Sequence, residues 1–217
     1  MRKQLTLILF ILISMTTVST LNAATPSGDE IVKRVQEAYN QLKSLQCDFH
    51  QEANMKVNNQ QATNNGTMVL MNDNRYRLET DAVLFVSDGK DVWTYNKKGT
   101  PPAIIVQSIE KAGAGMVPRE MLFEFPKNFN VASVEEGTLD GRADYILQLT
   151  PKTPDVAIRH LKVWVDEKDS LTRKMEFEDT SGNKIVFTLS NVKLNAEIAD
   201  SLFQFKAPEG VKVFDMR

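Results

Sequence analysis

The sequence contains very few of the residues that build metal and redox sites, with one cysteine and two histidines among 217 residues. A single cysteine excludes an internal disulfide. Cys47 and His50 are three positions apart in a predicted strand, so their side chains point to opposite faces, and no second pair completes a tetrahedral site. We therefore predict no metal and no cofactor.

The sequence also lacks recognisable catalytic motifs. No Gly-x-Ser-x-Gly nucleophile turn accompanies the histidines, and Gly113 and Gly115 lack the lysine of a phosphate-binding loop. The carboxylates of Glu176, Glu178 and Asp179 are typical of the solvated face of a strand. These absences predict that the protein is not an enzyme.

An excess of positive charge is missing too. The chain has 26 Lys and Arg residues against 28 Asp and Glu residues, which gives a formal net charge of −2. Nucleic-acid binding requires a basic patch, and an electrostatic membrane anchor requires a polybasic segment. We therefore expect no nucleic-acid partner and no anchor of this kind.

Long apolar runs are limited to the start of the chain. A basic start precedes an apolar run over residues 5–15, and small and polar residues lead to Ala23. This is the layout of a secretory signal peptide, and the run is too short to span a bilayer. The sequence predicts a cleaved signal peptide at residues 1–23, a single domain at 24–217, and export to the periplasm.

One amphipathic helix follows the predicted signal peptide. Apolar residues recur at three- and four-residue spacing from Ile31 to Leu45, as on one face of a helix. Ser27 or Asp29 could cap its N-terminus. We expect this helix to pack on a sheet.

The strongest local signal is a hairpin over residues 84–95. Two apolar, β-branched and aromatic runs flank Asp88-Gly89, and glycine adopts the positive φ of a tight turn without steric cost. Side chains alternate across a strand, so Trp93 and Tyr95 share a face. These rings either fill an ordinary core or line a binding surface, and the pattern leaves both open.

After residue 45 the hydrophobic period falls from helical to about two, with Asn- and Gly-rich tracts between the runs. Sequential strands with short polar turns predict an antiparallel meander, closed or nearly closed into a barrel. The predicted fold class is mainly β, of the α+β kind, in one domain. The predicted strands are Gln46–Met55, Thr67–Met71, Arg75–Thr80, Val83–Val86, Val92–Tyr95, Ala103–Gln107, Phe129–Glu135, Ala143–Thr150, Arg159–Val165, Leu171–Glu178 and Lys184–Val192.

Several of these strands carry large apolar residues on one face. Such a sheet has an apolar concave surface, which is either filled by helices of the chain or holds a ligand. An apolar segment at residues 113–126 interrupts the strands; Pro118 suits a first helical position and Pro126 ends the helix. The segment is either a movable lid or a permanent plug. Its apolar residues include Met116, Met121, Leu122, Phe123 and Phe125.

Two motifs carry a resemblance to a known family. The first is the hairpin Val-Ser-Asp-Gly-Lys followed by Trp-x-Tyr-Asn, within residues 84–96. The second is the tail Asp-Ser-Leu-Phe-Gln-Phe at 200–205 with Pro-Glu-Gly-Val-Lys-Val at 208–213. Together with the signal peptide and the first helix, they make the chain similar to the outer-membrane lipoprotein carrier protein family, LolA.

The resemblance implies an incomplete antiparallel β-barrel with an α-helical lid over an apolar cavity for acyl chains. It implies a monomeric periplasmic carrier of triacylated lipoproteins, loaded by an inner-membrane ABC-type lipoprotein release complex and unloaded at the outer membrane, with a possible outer-membrane acceptor. The residues that we assign to the cavity and lid on this basis are Trp93, Tyr95, Met116, Met121, Leu122, Phe123, Phe125, Leu147, Leu161, Val163, Phe177 and Phe187.

The sequence departs from the family before its third predicted strand. Family members commonly have a basic residue and a proline before an aromatic-x-Trp strand, and the basic residue helps to latch the lid. Here Asn72 occupies the basic position, the proline is missing, and Leu78 stands where the tryptophan is expected. Arg75 or Arg77 could replace the latch, although strand parity places both on the face opposite Tyr76.

Two further hypotheses keep the same fold. One is a sensor that binds mislocalised lipoproteins and regulates a membrane partner. The other is a carrier of a different lipid, such as a glycolipid. The identity of the bound cargo separates the carrier of a different lipid from a lipoprotein carrier.

Overall fold

The computed structural model describes residues 25–112, 118–154 and 156–217. The predicted signal peptide and Met116 lie outside these residues, as does the side chain of Met121. Within the described part of the chain, no helix has the length and apolar character that crossing a bilayer requires.

The described residues form three α-helices and twelve strands, joined by short turns. The helices are α1 Gly28–Gln41, α2 Pro118–Phe123 and α3 Phe125–Asn128. The strands are β1 Ser44–Met55, β2 Gln60–Met71, β3 Arg75–Thr80, β4 Val83–Asp88, β5 Asp91–Asn96, β6 Ala103–Ser108, β7 Phe129–Leu139, β8 Arg142–Pro151, β9 Ile158–Asp166, β10 Thr172–Asp179, β11 Lys184–Leu194 and β12 Lys212–Asp215.

All twelve strands belong to one open sheet, in the order β12-β6-β5-β4-β3-β2-β1-β11-β10-β9-β8-β7. Neighbouring strands are antiparallel except β12 and β6, which are parallel. The strands β12 and β7 form its two edges. This mainly β architecture confirms the predicted fold class of an incomplete barrel.

Helix α1 begins with a capping box at Ser27. The Ser27 hydroxyl accepts a hydrogen bond from the Glu30 amide, and the Glu30 carboxylate accepts one from the Ser27 amide at 2.7 Å. These two bonds satisfy amides that have no partner inside the helix. Ser27 is therefore the cap, and Asp29 lies in the first turn. The helix buries its apolar face through Ile31, Val35 and Tyr39.

The structure confirms the predicted hairpin. In its turn, Gly89 has a positive φ and Asp88 does not. Gly89 has φ +95°. Asp88 contributes through its carboxylate, which accepts hydrogen bonds from the Lys90 and Asp91 amides at 2.9 Å each. The turn thus depends on glycine for its backbone shape and on aspartate for its hydrogen bonds.

Strand β2 begins earlier than predicted. Most of the polar tract at residues 58–66 is strand, paired with β1 along its whole length. Gly66 lies opposite Phe49, and a Cβ at Gly66 would come within 2.6 Å of the Phe49 ring. The glycine therefore makes room for a core aromatic ring, and does not mark a turn.

The two faces of the sheet have different roles, and strand register shows which residues share a face. We call the face that contacts α1, α2 and α3 the inner face. Its buried apolar residues and those of the helices form one core, which contains Ile31, Val35, Tyr39, Leu42, Leu45, Cys47, Phe49, Met68, Leu70, Tyr76, Val92, Leu122, Phe123, Phe125, Phe129, Tyr145, Leu147, Leu149, Leu161, Val163, Val165, Leu171, Met175, Phe187 and Leu189.

A second apolar cluster lies on the outer face, over β3–β6. The C-terminal segment after β11 covers it, with Phe205 stacked on Trp93 at 6.2 Å between ring centroids and Phe203 buried against β3 and β4. Strand β12 then pairs with β6. We did not predict β12, because four residues with charges at both ends carry too little alternation to indicate a strand.

Candidate functional site

The apolar inner face runs continuously across the strands β1 and β8–β11. Register places Leu147 opposite Val163, Val163 opposite Met175, and Met175 opposite Phe187. Leu161 and Phe177 form the next row, toward the other end of the same strands. One continuous apolar wall therefore contains Leu147, Leu161, Val163, Phe177 and Phe187, and their contact with acyl chains stays a prediction.

Helices α2 and α3 close the interior over this wall. Leu122, Phe123 and Phe125 are buried in the same core as the strand residues, and Phe123 stacks on Tyr39 of α1. The predicted lid residues that the structure describes thus point inward.

Among the described residues, the space beside Phe123 of the lid has almost no free volume. The space between Phe123, Tyr39 and Leu70 measures about 10 Å³, enough for roughly one water molecule. Ligand pockets commonly measure about 300–1,000 Å³. An apolar ligand of that size can enter this space only when helices move away from the sheet.

Trp93 and Tyr95 lie outside this interior, which corrects their assignment to the cavity. They do share a face, but it is the outer face, where both rings contact Phe205. Their neighbour Val92 points inward and belongs to the core. Alternation along a strand shows which residues share a face of the sheet. Which of the two faces is the inner one depends on the helices that cover it.

Arg75 and Arg77 also lie on the outer face, away from the inner face that α2 covers. Arg75 pairs with Asp200 at 2.6 Å, and its guanidinium lies 5.2 Å from the centre of the Phe203 ring. Arg77 pairs with Glu79 on its own strand. Arg75 therefore holds the C-terminal segment in place on the outer face.

The sheet contacts the lid through a hydrogen bond that the sequence did not indicate. The Thr172 hydroxyl donates to the backbone carbonyl of Leu122 at 2.9 Å, in a fully buried position. A threonine at the start of a strand is an ordinary β-former, so its residue type carries no signal of this role.

Charged residues cluster at the rim beside the β9–β10 turn. Asp166 pairs with Arg142 at 3.1 Å and with Arg173 at 3.6 Å, and Arg173 also pairs with Asp169. Asp144 lies opposite Asp166 on β8 and is only 2% exposed. Burial and the negative charge of Asp166 raise the pKa of Asp144 to about 6.

The Asp144→Asn variant should be more stable than the wild type at neutral pH. Because the pKa of Asp144 is about 6 in the fold and 3.8 in the reference state, the folded protein binds this proton more tightly. Stability is therefore lost as the pH rises from about 4 to about 6, by up to about 3 kcal/mol. Urea unfolding of both proteins at pH 4 and pH 7.5 measures this, and a stability difference that does not change with pH would contradict it.

Cys47 and His50 lie on opposite faces of β1. Cys47 is in the inner core, and burial raises the pKa of its thiol to about 12. His50 is on the outer face, bonded to Asn65 at 2.7 Å. Because a thiol reacts as its thiolate, Cys47 should be unreactive while the interior is closed. Faster modification of this single cysteine should therefore report loosening of the inner core.

Known proteins match this chain over most of its length. Residues 40–206 match the family described as outer membrane lipoprotein carrier protein LolA. The chain belongs to the LolA family. The matched segment starts in the last turn of α1 and includes α2, α3 and the strands β1–β11.

The individual relatives of this chain share little sequence identity with it. The outer-membrane lipoprotein carrier protein of Shewanella loihica is 30% identical over 182 residues, which are 81% of this chain and 81% of the relative. An uncharacterized protein of Methanocaldococcus jannaschii is 30% identical over 193 residues, or 86% of this chain, which spans only about half (53%) of that relative. An uncharacterized conserved protein from Thermus thermophilus has a related structure, with a TM-score of 0.56 at 14% identity over 88% of this chain and 99% of that chain. The last similarity shows the fold alone.

Proposed function

We propose that this protein is a periplasmic carrier that holds the acyl chains of triacylated lipoproteins against the inner face of its sheet. The observation that carries this proposal is the continuous apolar wall covered by short, separate helices. Membership of the LolA family and the name of the Shewanella relative support it. In this proposal residues 1–23 are removed on export, and residues 24–217 act as one non-enzymatic carrier domain.

The energetics explain why such a carrier needs a cover that can be displaced. A hydrocarbon chain gains about 0.8 kcal/mol per buried methylene, so a chain of roughly sixteen carbons left in water costs on the order of 10 kcal/mol. If the wall stood empty in water, the cargo would bind too tightly to be released. Leu122, Phe123 and Phe125 cover the wall when cargo is absent. Exchange of these side chains for acyl chains keeps the net free energy small and the binding reversible.

The direction of transport follows from the same proposal. The cargo would leave the inner membrane at an ABC-type release complex, cross the periplasm inside a monomeric carrier, and reach the outer membrane directly or through an acceptor. The layout of the predicted signal peptide supports export, and the relative's name supports an outer-membrane lipoprotein as the cargo.

Binding of a matched pair of lipopeptides tests the proposal. Delipidated protein should bind a triacylated lipopeptide and should not bind the same peptide without acyl chains. Binding is detected as increased accessibility of Cys47 or as displacement of an apolar dye. Failure to bind the acylated peptide would contradict the proposal. Preference for free glycolipid would favour a carrier of another lipid.

A further inference from the structure

Thr172 combines burial with a polar contact to the lid. The residue is 1% exposed, and its hydroxyl donates to the Leu122 carbonyl. Leu122 itself is fully buried near the C-terminal end of α2, which is Pro118–Phe123. The last four carbonyls of a helix have no partner within it, and a buried carbonyl without a donor is costly. Thr172 supplies that donor.

A β-bulge brings Thr172 to the inner face. Lys174 pairs with Trp164 on the outer face, and regular alternation would place Thr172 there too. The register shifts between these two residues, and Thr172 pairs with Val165 of the inner core instead. The extra residue in the strand is Arg173, which pairs with the rim carboxylates.

Thr172 therefore marks the border between the charged rim and the apolar wall. On one side lie Asp166 and Arg173. On the other side the inner-face rows continue through Val163 and Leu161 toward the far end of β9. A chain that lies along this wall with its polar head at the rim places that head beside Thr172.

We propose that Thr172 is a clasp residue with two alternative acceptors. With the lid closed it bonds the Leu122 carbonyl. With cargo bound it bonds a carbonyl of the ester or amide that joins the acyl chains to the lipoprotein. This second part depends on the proposed function. Once α2 leaves, the buried hydroxyl needs a new acceptor, and the head carbonyls are the only acceptors on an otherwise apolar chain.

Three Thr172 variants test the closed-state part without any ligand. Thr172→Val and Thr172→Ala remove the donor, whereas Thr172→Ser keeps it. We expect iodoacetamide to modify Cys47 at least about fivefold faster in the Val and Ala variants than in the Ser variant and wild type. Val86→Ala on the outer face is the matched control for general destabilisation, because Val86 is fully buried away from the lid. Labelling of both donorless variants at the rate of the control would overturn the clasp.

A pair of lipopeptides tests the cargo-bound part. One carries ester-linked acyl chains, and the other carries the same chains as ethers, without carbonyls. Wild type and Thr172→Ser should prefer the ester by about two- to tenfold, and Thr172→Val should lose the preference. An undiminished preference in Thr172→Val would overturn the second acceptor. If wild type bound neither lipopeptide, the proposed function would fail, while the labelling rates would still decide the clasp.

Discussion

Replacing Phe123 by glutamate should open the apolar interior while leaving the sheet folded. Phe123 is buried in the core and stacks on Tyr39. An ionised carboxylate without a partner is costly to bury, and the substitution also removes the roughly 1.5–3 kcal/mol that the buried Phe123 ring contributes to docking. Helix α2 should therefore leave the wall. We expect a large rise in apolar dye binding, much faster modification of Cys47, and an unchanged far-UV circular dichroism spectrum.

The same substitution should make acyl-chain binding tighter and release slower, because Phe123 would no longer cover the wall when cargo is absent. Phe123→Leu is the matched control, since it keeps an apolar side chain and should change dye binding little. The alternative is that α2 is a permanent plug. In that case Phe123→Glu would abolish the cooperative thermal transition and the β signal together, and the lid account would be wrong.

Replacing Phe203 by alanine should lower the free energy of unfolding by about 3–5 kcal/mol without changing acyl-chain affinity in the protein that remains folded. Phe203 is 2% exposed on the outer face, beneath the Arg75 guanidinium. Its loss leaves a cavity in the outer cluster and removes the anchor of the C-terminal segment. Urea unfolding measures the cost.

Leu202 gives a matched control for this prediction. It is the preceding residue of the same turn and is 37% exposed, so Leu202→Ala should cost much less. An equal loss of unfolding free energy in the two variants would contradict a packed apolar cluster on the outer face. A loss of acyl-chain affinity in folded Phe203→Ala would show that the outer cluster, with Trp93 and Tyr95, takes part in binding after all.

The local fold of this protein is largely readable from its sequence because local chemistry determines it. Ser27 and Glu30 have the spacing of a capping box, and Asp88-Gly89 between apolar runs has the chemistry of a hairpin turn. Alternation on β8–β11 likewise shows which side chains share the apolar wall, as for Val163 and Leu147. Each of these signals lies within a few residues of the element that it predicts.

The parts that sequence reasoning missed depend on contacts between distant segments. Parity placed Arg75 and Arg77 opposite Tyr76, but only the structure shows that Arg75 binds the C-terminal segment at Asp200 and Phe203. The position of Trp93 depends on Phe205 in the same way. These partners are more than 100 residues apart in the chain.

Thr172 was missed for a different reason. Alternation from Met175 and Phe177 assigns Thr172 to the outer face, and the bulge at Arg173 reverses that assignment. A bulge shifts the register by one residue, and no composition rule identifies Arg173 as the extra residue. The contact that joins the sheet to the lid therefore became visible only in three dimensions.

The most direct test of the carrier account is native mass spectrometry of the tagged protein purified from the periplasm under non-denaturing conditions. The account predicts a monomer with stoichiometric triacylated lipoprotein, alongside a cargo-free population in which Cys47 resists modification. Free lipid without lipoprotein would contradict the assigned cargo. Protein that is always empty, and that takes up no acylated lipopeptide after purification, would contradict the carrier function itself.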